Sequence, residues 1–502
     1  MTKHPNTLKL LRLGIDTHQE TVVYMRQDCH ICRAEGFAAH ARVLVTCKDH
    51  SVIATLNHIT TDILARNEAS LSESAWKILN ATEGDRIVVS HPSPLESLSH
   101  VRAKVYGKEL DQKAFAAILK DVVGRRYSDI HLSSFITACS ADGLGEEEMI
   151  ALTRAMVDVG DTLVWDHHPI VDKHCVGGLP GNRTTPIVVA IAAAAGLVVP
   201  KTSSRAITSP AGTADTMEVM APVDLDIQAM RRVVDQEGGC IVWGGAVQLS
   251  PADDIFISIE RALDLDSEGQ LVASILSKKI AAGSTHLVID MPVGPTAKVR
   301  SEADAKRLAG YLTKVGLAFD VKVQVVATDG RQPVGRGIGP ALEARDVLAV
   351  LRNQPEAPQD LRERACHLAG ALLELGKKAP QGEGCSQAED ILGSGQAWEK
   401  FHAICKAQGG FHEPKLAKYT ETICSSRKGR VSIIDNRLIA RIGKLAGAPQ
   451  AKAAGIEMHV KLDTPVEKNQ LLFTIHAETK GELAYANDYA TGKENIITIK
   501  EN

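Results

Sequence analysis

The sequence predicts a multi-domain α/β protein: a helical domain plus a mostly parallel α/β domain, with a β-rich N-terminal domain before them and an α+β C-terminal domain after. Three observations carry that prediction. A chain of 502 residues exceeds what one hydrophobic core usually holds. Its middle alternates short apolar runs with stretches of helical spacing, the pattern of a parallel sheet covered by helices. Both ends return to short strand-like runs separated by polar breaks.

The elements follow in order. Leu8–Leu13, Thr21–Met25, Ala41–Val45 and Asp85–Ser90 are apolar or alternating runs, and His91-Pro92-Ser93-Pro94 punctuates them, so residues 1–92 read as the β-rich domain. Ser97–Gly107, Gln112–Val123, Asp129–Ser140 and Glu146–Val159 carry helical spacing and make 93–162 the first part of the helical domain. Residues 163–345 form the α/β domain, with buried strands at Leu197–Pro200, Thr285–Asp290 and Val321–Val326 and a helix over Ala303–Val315. Residues 346–425 are helical again. The segment 426–502 closes the chain with strands such as Gly455–Lys461 and Leu471–Ile475.

Composition narrows the class. Apolar residues at 44% and charged residues at 24% are ordinary globular usage. A formal net charge of -4 offers no basic face for a nucleic-acid backbone. No apolar run approaches the roughly 20 residues of a membrane span, and Met-Thr-Lys-His-Pro-Asn lacks an apolar signal region. Ten cysteines over this length are too sparse for a disulfide scaffold, so a cytoplasmic location is expected.

The densest unusual segment runs Asp172-Lys173-His174-Cys175-Val176-Gly177-Gly178-Leu179-Pro180-Gly181-Asn182-Arg183-Thr184-Thr185, with an apolar helix beginning near Pro186. Such a loop aims backbone N–H groups at one spot and adds the positive end of a helix, which favours an anion. Lys173 adds a charge, and Thr184 or Thr185 a hydroxyl; the alternative is a purely structural turn. The segment is neither a Walker A loop nor a Gly-x-Gly-x-x-Gly fingerprint, which argues against nucleotide hydrolysis and dinucleotide binding. A second polar cluster, Lys201 to Asp215, follows the strand Leu197–Val199. Loops after successive strands can meet at one carboxyl edge of a sheet, where ligands usually sit.

The Lys-His-x-x-Gly-Gly loop, the Ser203-Ser204-Arg205…Gly212-Thr213-Ala214-Asp215 cluster, Ser274-Ile275-Leu276-Ser277-Lys278-Lys279 and Thr328-Asp329-Gly330-Arg331-Gln332-Pro333-Val334-Gly335-Arg336 occur in one order. Together, over roughly residues 95 to 500, the chain resembles the thymidine/pyrimidine-nucleoside phosphorylase family. Leu13–His18 and Glu35-Gly36-Phe37 in the extra N-terminal domain resemble its long branch, which includes AMP phosphorylases.

The resemblance implies phosphorolysis: inorganic phosphate attacks the anomeric carbon of a nucleoside or nucleotide, releasing the base and an α-sugar 1-phosphate. It implies phosphate contacts at Lys173, Cys175, Thr185, Ser203 and Thr213, a candidate acid at His174, and Ser274 and Lys278 on the base-binding helix, with Lys278 among the catalytic groups. The long branch implies substrate contacts at Gly178, Ser204, Arg205, Ala206, Ile207, Thr208, Ser209, Thr213, Ser274 and Lys298, with Asp266 as proton donor. Two features depart from the short members. Cys175 stands where they have Ser, and their base-reading Tyr and Arg fall near Phe256 and Ile259.

The remaining candidates read blandly. Asp266 could cap the following helix. Asp166-His167-His168 reads as a solvated loop, Glu146-Glu147-Glu148 as a solvated helix start, and Cys29-His30-Ile31-Cys32 as free thiols although its spacing suits a metal. Gly455–Glu478 resembles a small barrel-sandwich module without a biotinylated Lys motif, so a packing role is expected. The expected reaction is thymidine plus phosphate giving thymine and 2-deoxy-α-D-ribose 1-phosphate. The alternatives are phosphorolysis of 5′-monophosphates such as AMP, with Arg205, Thr208 and Ser209 holding the 5′-phosphate, and a non-catalytic nucleotide sensor on the same scaffold. A phosphoribosyltransferase would need an acidic pair for Mg²⁺, and none is convincingly placed. The expected partners are substrate and phosphate, with no cofactor, metal, nucleic acid or membrane, in a homodimer or larger assembly.

Overall fold

A computed structural model of the chain describes residues 7–17, 20–141, 143–179, 181, 183–206, 209–265, 267–493 and 495–501. The chain divides into two compact units, residues 1–108 with 117–135, and residues 109–116 with 136–502.

The first unit is built on a closed six-stranded barrel. Its strands are β1 (Thr7–Leu10), β2 (Val22–Arg26), β3 (Arg42–Cys47), β4 (His50–Ile59), β5 (Glu68–Leu71) and β6 (Arg86–Ser90), in the order β1-β5-β2-β4-β3-β6. Closure leaves no free sheet edge. Alternation along β3 buries Val43, Val45 and Cys47 in the barrel core. The Cys-x-x-Cys segment serves this unit locally: Cys29 caps the short helix His30–Glu35, its Sγ accepting from the Cys32 N–H at 3.2 Å, and both thiols are buried.

The second unit carries a parallel sheet of β7 (Val171–Cys175), β8 (Val199–Ser203), β9 (Gly239–Trp243), β10 (His286–Val293) and β11 (Lys322–Asp329). β10 pairs in parallel with both β7 and β11, and β8 pairs in parallel with β9. β7 and β8 are joined at a single bridge, Ile170 with Val198. The spatial order is therefore β9-β8-β7-β10-β11. From β7 the chain winds outward through β8 and β9, then returns to the other side of β7 at β10. That reversal makes a topological switch point at the carboxyl ends of β7 and β10, the usual place for a ligand in an open α/β sheet.

The helix Thr184–Ala194 leads away from this edge. From Ile187 to Ala193 it is apolar on all sides and fully buried, as a helix enclosed by neighbours must be. It shares one core with the helices Pro340–Leu351, Gln359–Leu375 and Gln396–Ala407. The C-terminal part adds the sheets β12-β15-β17-β13 and β16-β14-β18: β12 (Gly337–Ile338), β13 (Tyr419–Cys424), β14 (Gly429–Ile434), β15 (Gly455–Met458), β16 (Pro465–Val466), β17 (Leu471–Ala477) and β18 (Ile497–Lys500). Among the described residues no helix is long and apolar enough to cross a membrane.

The elements differ from the sequence reading in three places. Lys173-His174-Cys175 is the end of β7, not loop, because it pairs in register with Val288-Ile289-Asp290 of β10. Lys201-Thr202-Ser203 likewise continues β8, paired with Ile241-Val242-Trp243. β13 lies inside the stretch expected to be helical. Its Tyr-Thr-Glu-Thr-Ile-Cys run is rich in strand formers and finds a full antiparallel partner in β17.

One buried ion pair ties the site helix to the body of this unit. Arg183, at the start of Thr184–Ala194, is fully buried. Its Nη1 donates to the carbonyls of Val334, at 2.6 Å, and Gly337, and its Nη2 to Glu343 Oε1 at 3.2 Å. Burial outweighs the pull of Arg183 on Glu343 and moves that carboxyl up to about 6. Arg183→Met leaves Glu343 buried without its cation and is expected to cost about 3–5 kcal/mol in urea denaturation, whereas Arg183→Met with Glu343→Leu recovers most of the loss.

Candidate active site

Strand alternation sorts the site residues onto two faces of β7. Lys173 and Cys175 point toward the start of the helix Thr184–Ala194. Lys173 Nζ donates to Thr184 Oγ1 at 2.7 Å and Thr185 Oγ1 at 3.4 Å, and lies 3.8 Å from Asp290 Oδ2, all completely buried or nearly so. Asp290 stands beside Cys175 in the β7–β10 register, and its other oxygen accepts from Thr328 Oγ1 at 2.7 Å. Burial, reinforced by Asp290, pushes the Cys175 thiol up to about 12, so it stays protonated at neutral pH.

Asp172 and His174 occupy the opposite face. Asp172 is fully buried between two lysines, with Lys279 Nζ at 2.7 Å and Lys201 Nζ at 3.1 Å. Burial pushes its carboxyl up, but Lys201 and Lys279 together outweigh that and hold it below the usual range. Lys279 also donates to the Thr202 carbonyl at 3.2 Å, which ties the helix Glu268–Ala281 to β8. His174 is half-buried and held far below its ordinary pKa, first by burial and then by Lys279, Lys201, Lys278 and Lys173. Lowering the pKa of a base favours its neutral form, so the His174 ring is uncharged at pH 7.

The turn after β7 approaches the loop after β10 closely. Gly177 and Gly178 have φ of +95 and +84, and a Cβ on Gly178 would come within 2.9 Å of the Lys298 backbone nitrogen. Gly178 and Lys298 thus meet across the switch point. At the end of β8, Ser203 is buried and its Oγ has no hydrogen-bond partner among the described residues. A buried hydroxyl left this way is an expected consequence of a site built for a ligand.

On the helix Glu268–Ala281, Ser274 and Lys278 are one turn apart. Lys278 Nζ donates to Ser274 Oγ at 3.1 Å and to the buried Asp253 at 2.6 Å, on the helix Pro251–Leu263. Phe256 and Ile259 of that second helix are buried in packing. Thr213 opens the short helix Thr213–Glu218, and Asp215 closes the preceding loop by accepting from the N–H groups of Ala206 at 2.6 Å and Gly212 at 2.9 Å. Ser204 is exposed and Ser209 buried.

Arg205, expected to hold a 5′-phosphate, is engaged by carboxylates of its own unit. Its guanidinium makes two 2.9 Å bonds to Glu218, lies 3.4 Å from both Asp215 and Asp224, and stacks 4.8 Å from the Trp243 ring. These carboxylates already supply the anion. Ile207, Thr208 and Asp266 lie outside the described residues. Helix capping, the structural role considered for Asp266, is performed by Ser267, whose side chain accepts from the Gln270 N–H.

Asp172, Lys201, Lys279, Asp253 and Asp290 had no assigned role from sequence. The available signal was a charge inside an apolar run, as in Leu287-Val288-Ile289-Asp290, which demands a buried partner.

A doubly wound sheet joined to helices suits many chemistries, and the comparisons name this one as a pentosyltransferase. Residues 99–160 match the glycosyl transferase family helical bundle domain, 167–398 the glycosyl transferase family a/b domain, and 430–496 the pyrimidine nucleoside phosphorylase C-terminal domain. The chain is 58% identical over 498 residues to a protein of Polaromonas sp. (strain JS666 / ATCC BAA-500) named "Putative thymidine phosphorylase", covering 99% of this chain and 98% of that one. It is 59% identical over 497 residues to a protein of the same name from Maricaulis maris (strain MCS10), covering 99% and 96%. Anthranilate phosphoribosyltransferase from Thermus thermophilus shares the fold, with a TM-score of 0.52 at 18% identity over 62% of this chain and 99% of that one. The chain belongs to the thymidine/pyrimidine-nucleoside phosphorylase family. It is an enzyme whose reaction class is nucleoside phosphorolysis.

The electrostatics make a direct prediction. In phosphate-free protein the His174 ring nitrogens should keep neutral-imidazole ¹⁵N shifts from pH 6 to 8, and a titration centred near the ordinary histidine value of about 6.5 would contradict it.

Proposed function

We propose that this enzyme cleaves thymidine with inorganic phosphate, giving thymine and 2-deoxy-α-D-ribose 1-phosphate. The observation that carries thymidine over a 5′-monophosphate is Arg205: the described cation of the loop after β8 is already bound by Glu218, Asp215 and Asp224.

In this reading phosphate sits at the carboxyl edge of β7 and β8. Lys173, with Thr185 at the helix start, supplies charge and donors from one side, and Ser203 Oγ donates from the other. The phosphate oxygen attacks the anomeric carbon on the face opposite the base, which inverts a β-nucleoside to an α-product. The oxocarbenium-like transition state is stabilised by the approaching dianion. Charge developing on the departing base is met by Lys278 and Ser274. His174 is neutral in the empty site; a bound dianion raises its proton affinity and makes it a proton donor to the base. Removing one such donor typically costs about 10² to 10³ in rate, and Lys173→Ala is expected to lose at least that much in turnover. A sensor on this scaffold would instead lose only ligand affinity.

A second reading rests on Phe256 and Ile259. Both are apolar and packed where the short family members read a pyrimidine, which favours a nucleotide substrate recognised elsewhere. Base release from thymidine, uridine, AMP, CMP and UMP, with and without phosphate, separates the two. Thymine release that requires phosphate is the expected result. Release from the monophosphates alone overturns the thymidine assignment.

A further inference from the structure

We propose that Cys29 and Cys32 are a redox site: hydrogen peroxide oxidises Cys29, and Cys32 closes on it to form a reversible disulfide. The pair belongs to the first unit of the chain and is independent of the phosphorolysis reading. Cys29 caps the helix His30–Glu35, and its Sγ accepts the Cys32 N–H at 3.2 Å. The Cys32 thiol donates to the same sulfur. Two sulfurs in hydrogen-bond contact need only a local adjustment of their turn to bond. No third ligand turns the pair into a metal site: among the described residues no group of three His, Cys, Asp or Glu side chains could hold an ion.

The two thiols differ in a way that assigns their roles. At Cys29 the hydrogen bond from Cys32 outweighs burial, and the N–H groups of Cys32 and Ile31 and the charge of His30 add to it, lowering the thiol to about 6. The same bond, and then burial, pushes the Cys32 thiol up. By contrast burial pushes up the thiols of Cys47, Cys175, Cys240, Cys366, Cys385 and Cys405. Cys29 is therefore the nucleophile, because the thiolate attacks and the thiol does not. The other charged groups of this turn are paired: Arg26 with Asp28 at 2.7 Å and with Asp62, Arg66 with Asp28 at 2.9 Å, and Glu35 with His91 at 3.6 Å. The Cys29 thiolate attacks one peroxide oxygen, the O–O bond breaks, and the hydroxide released takes a proton from solvent. Cys32 sulfur then attacks the sulfenic sulfur, and its proton leaves with the hydroxyl as water. Two thiols are oxidised and one peroxide becomes two waters. Cys29 is 0% and Cys32 4% exposed beneath the exposed His30 and Arg33, so a water-sized oxidant reaches them where a bulky disulfide does not.

The test treats the full-length protein with hydrogen peroxide, quenches with catalase, then unfolds, alkylates and digests with trypsin. Residues 27–33 lie between Arg26 and the cleavage site at Arg33, so both thiols fall in one peptide. Its disulfide reads as an unalkylated peptide two hydrogens lighter, which dithiothreitol removes. That species is expected to form before Cys47 is lost. Its rate should change less than about twofold between pH 7 and 8, where an ordinary thiol gains roughly eightfold. Cys32→Ser is expected to leave Cys29 as a sulfenic acid that dimedone captures, and Cys29→Ser to slow oxidation of Cys32 by at least about tenfold. Thermal melting checks that both variants fold. Should either fail, the peptide and its pH profile in the unmodified protein still decide. A peptide that stays reduced at peroxide levels that oxidise the exposed Cys424, a bridge to Cys47 instead, or undiminished oxidation of Cys32 in Cys29→Ser would each overturn the proposal.

Discussion

An excess of buried positive charge governs this site. Lysines 173, 201, 278 and 279 surround His174, and aspartates 172, 253 and 290 answer only part of their charge. Like charges in a poorly screened interior repel strongly, so such a cluster persists only if the fold over-determines it. Here three elements do so. β7 and β10 hold Lys173, Cys175 and Asp290 in register. The helix Glu268–Ala281 is tied to β8 through Lys279. The enclosed helix Thr184–Ala194 is anchored at its start by Arg183. The remaining charge is what an inorganic anion would neutralise.

The same imbalance explains the state of each titratable group. His174 is neutral because four cations surround a half-buried ring, and Cys175 is a protonated thiol because burial and Asp290 both oppose ionisation. An anion entering the site changes the first of these and not the second. In the proposed reaction this would couple proton donation by His174 to phosphate arrival. A buried site of this kind also limits water, which would compete with phosphate for the same anomeric carbon.

Much of the architecture was legible in the sequence because it depends on period. Apolar runs alternating with helical spacing marked the α/β domain, and the glycine pair at 177 and 178 marked the turn that must pass close to Lys298. Strand ends were less legible. Lys-His-Cys and Lys-Thr-Ser look like loop residues until β10 and β9 supply their hydrogen bonds. The ionic partners were hidden for a related reason. Lys201 and Asp172 are 29 positions apart and Lys279 lies far beyond both, so nothing local signals that they meet. Arg205 is the converse case. The sequence displays a cation beside hydroxyls but not that Glu218 and Asp224 fold back to claim it.

The central claim is that an oxygen of inorganic phosphate, rather than of water, attacks the sugar. ³¹P NMR of the enzyme with thymidine and inorganic phosphate tests it most directly. The account predicts a growing resonance of an α-sugar 1-phosphate, matched one for one by loss of inorganic phosphate. Thymine and free deoxyribose accumulating while the phosphate signal stays constant would contradict it.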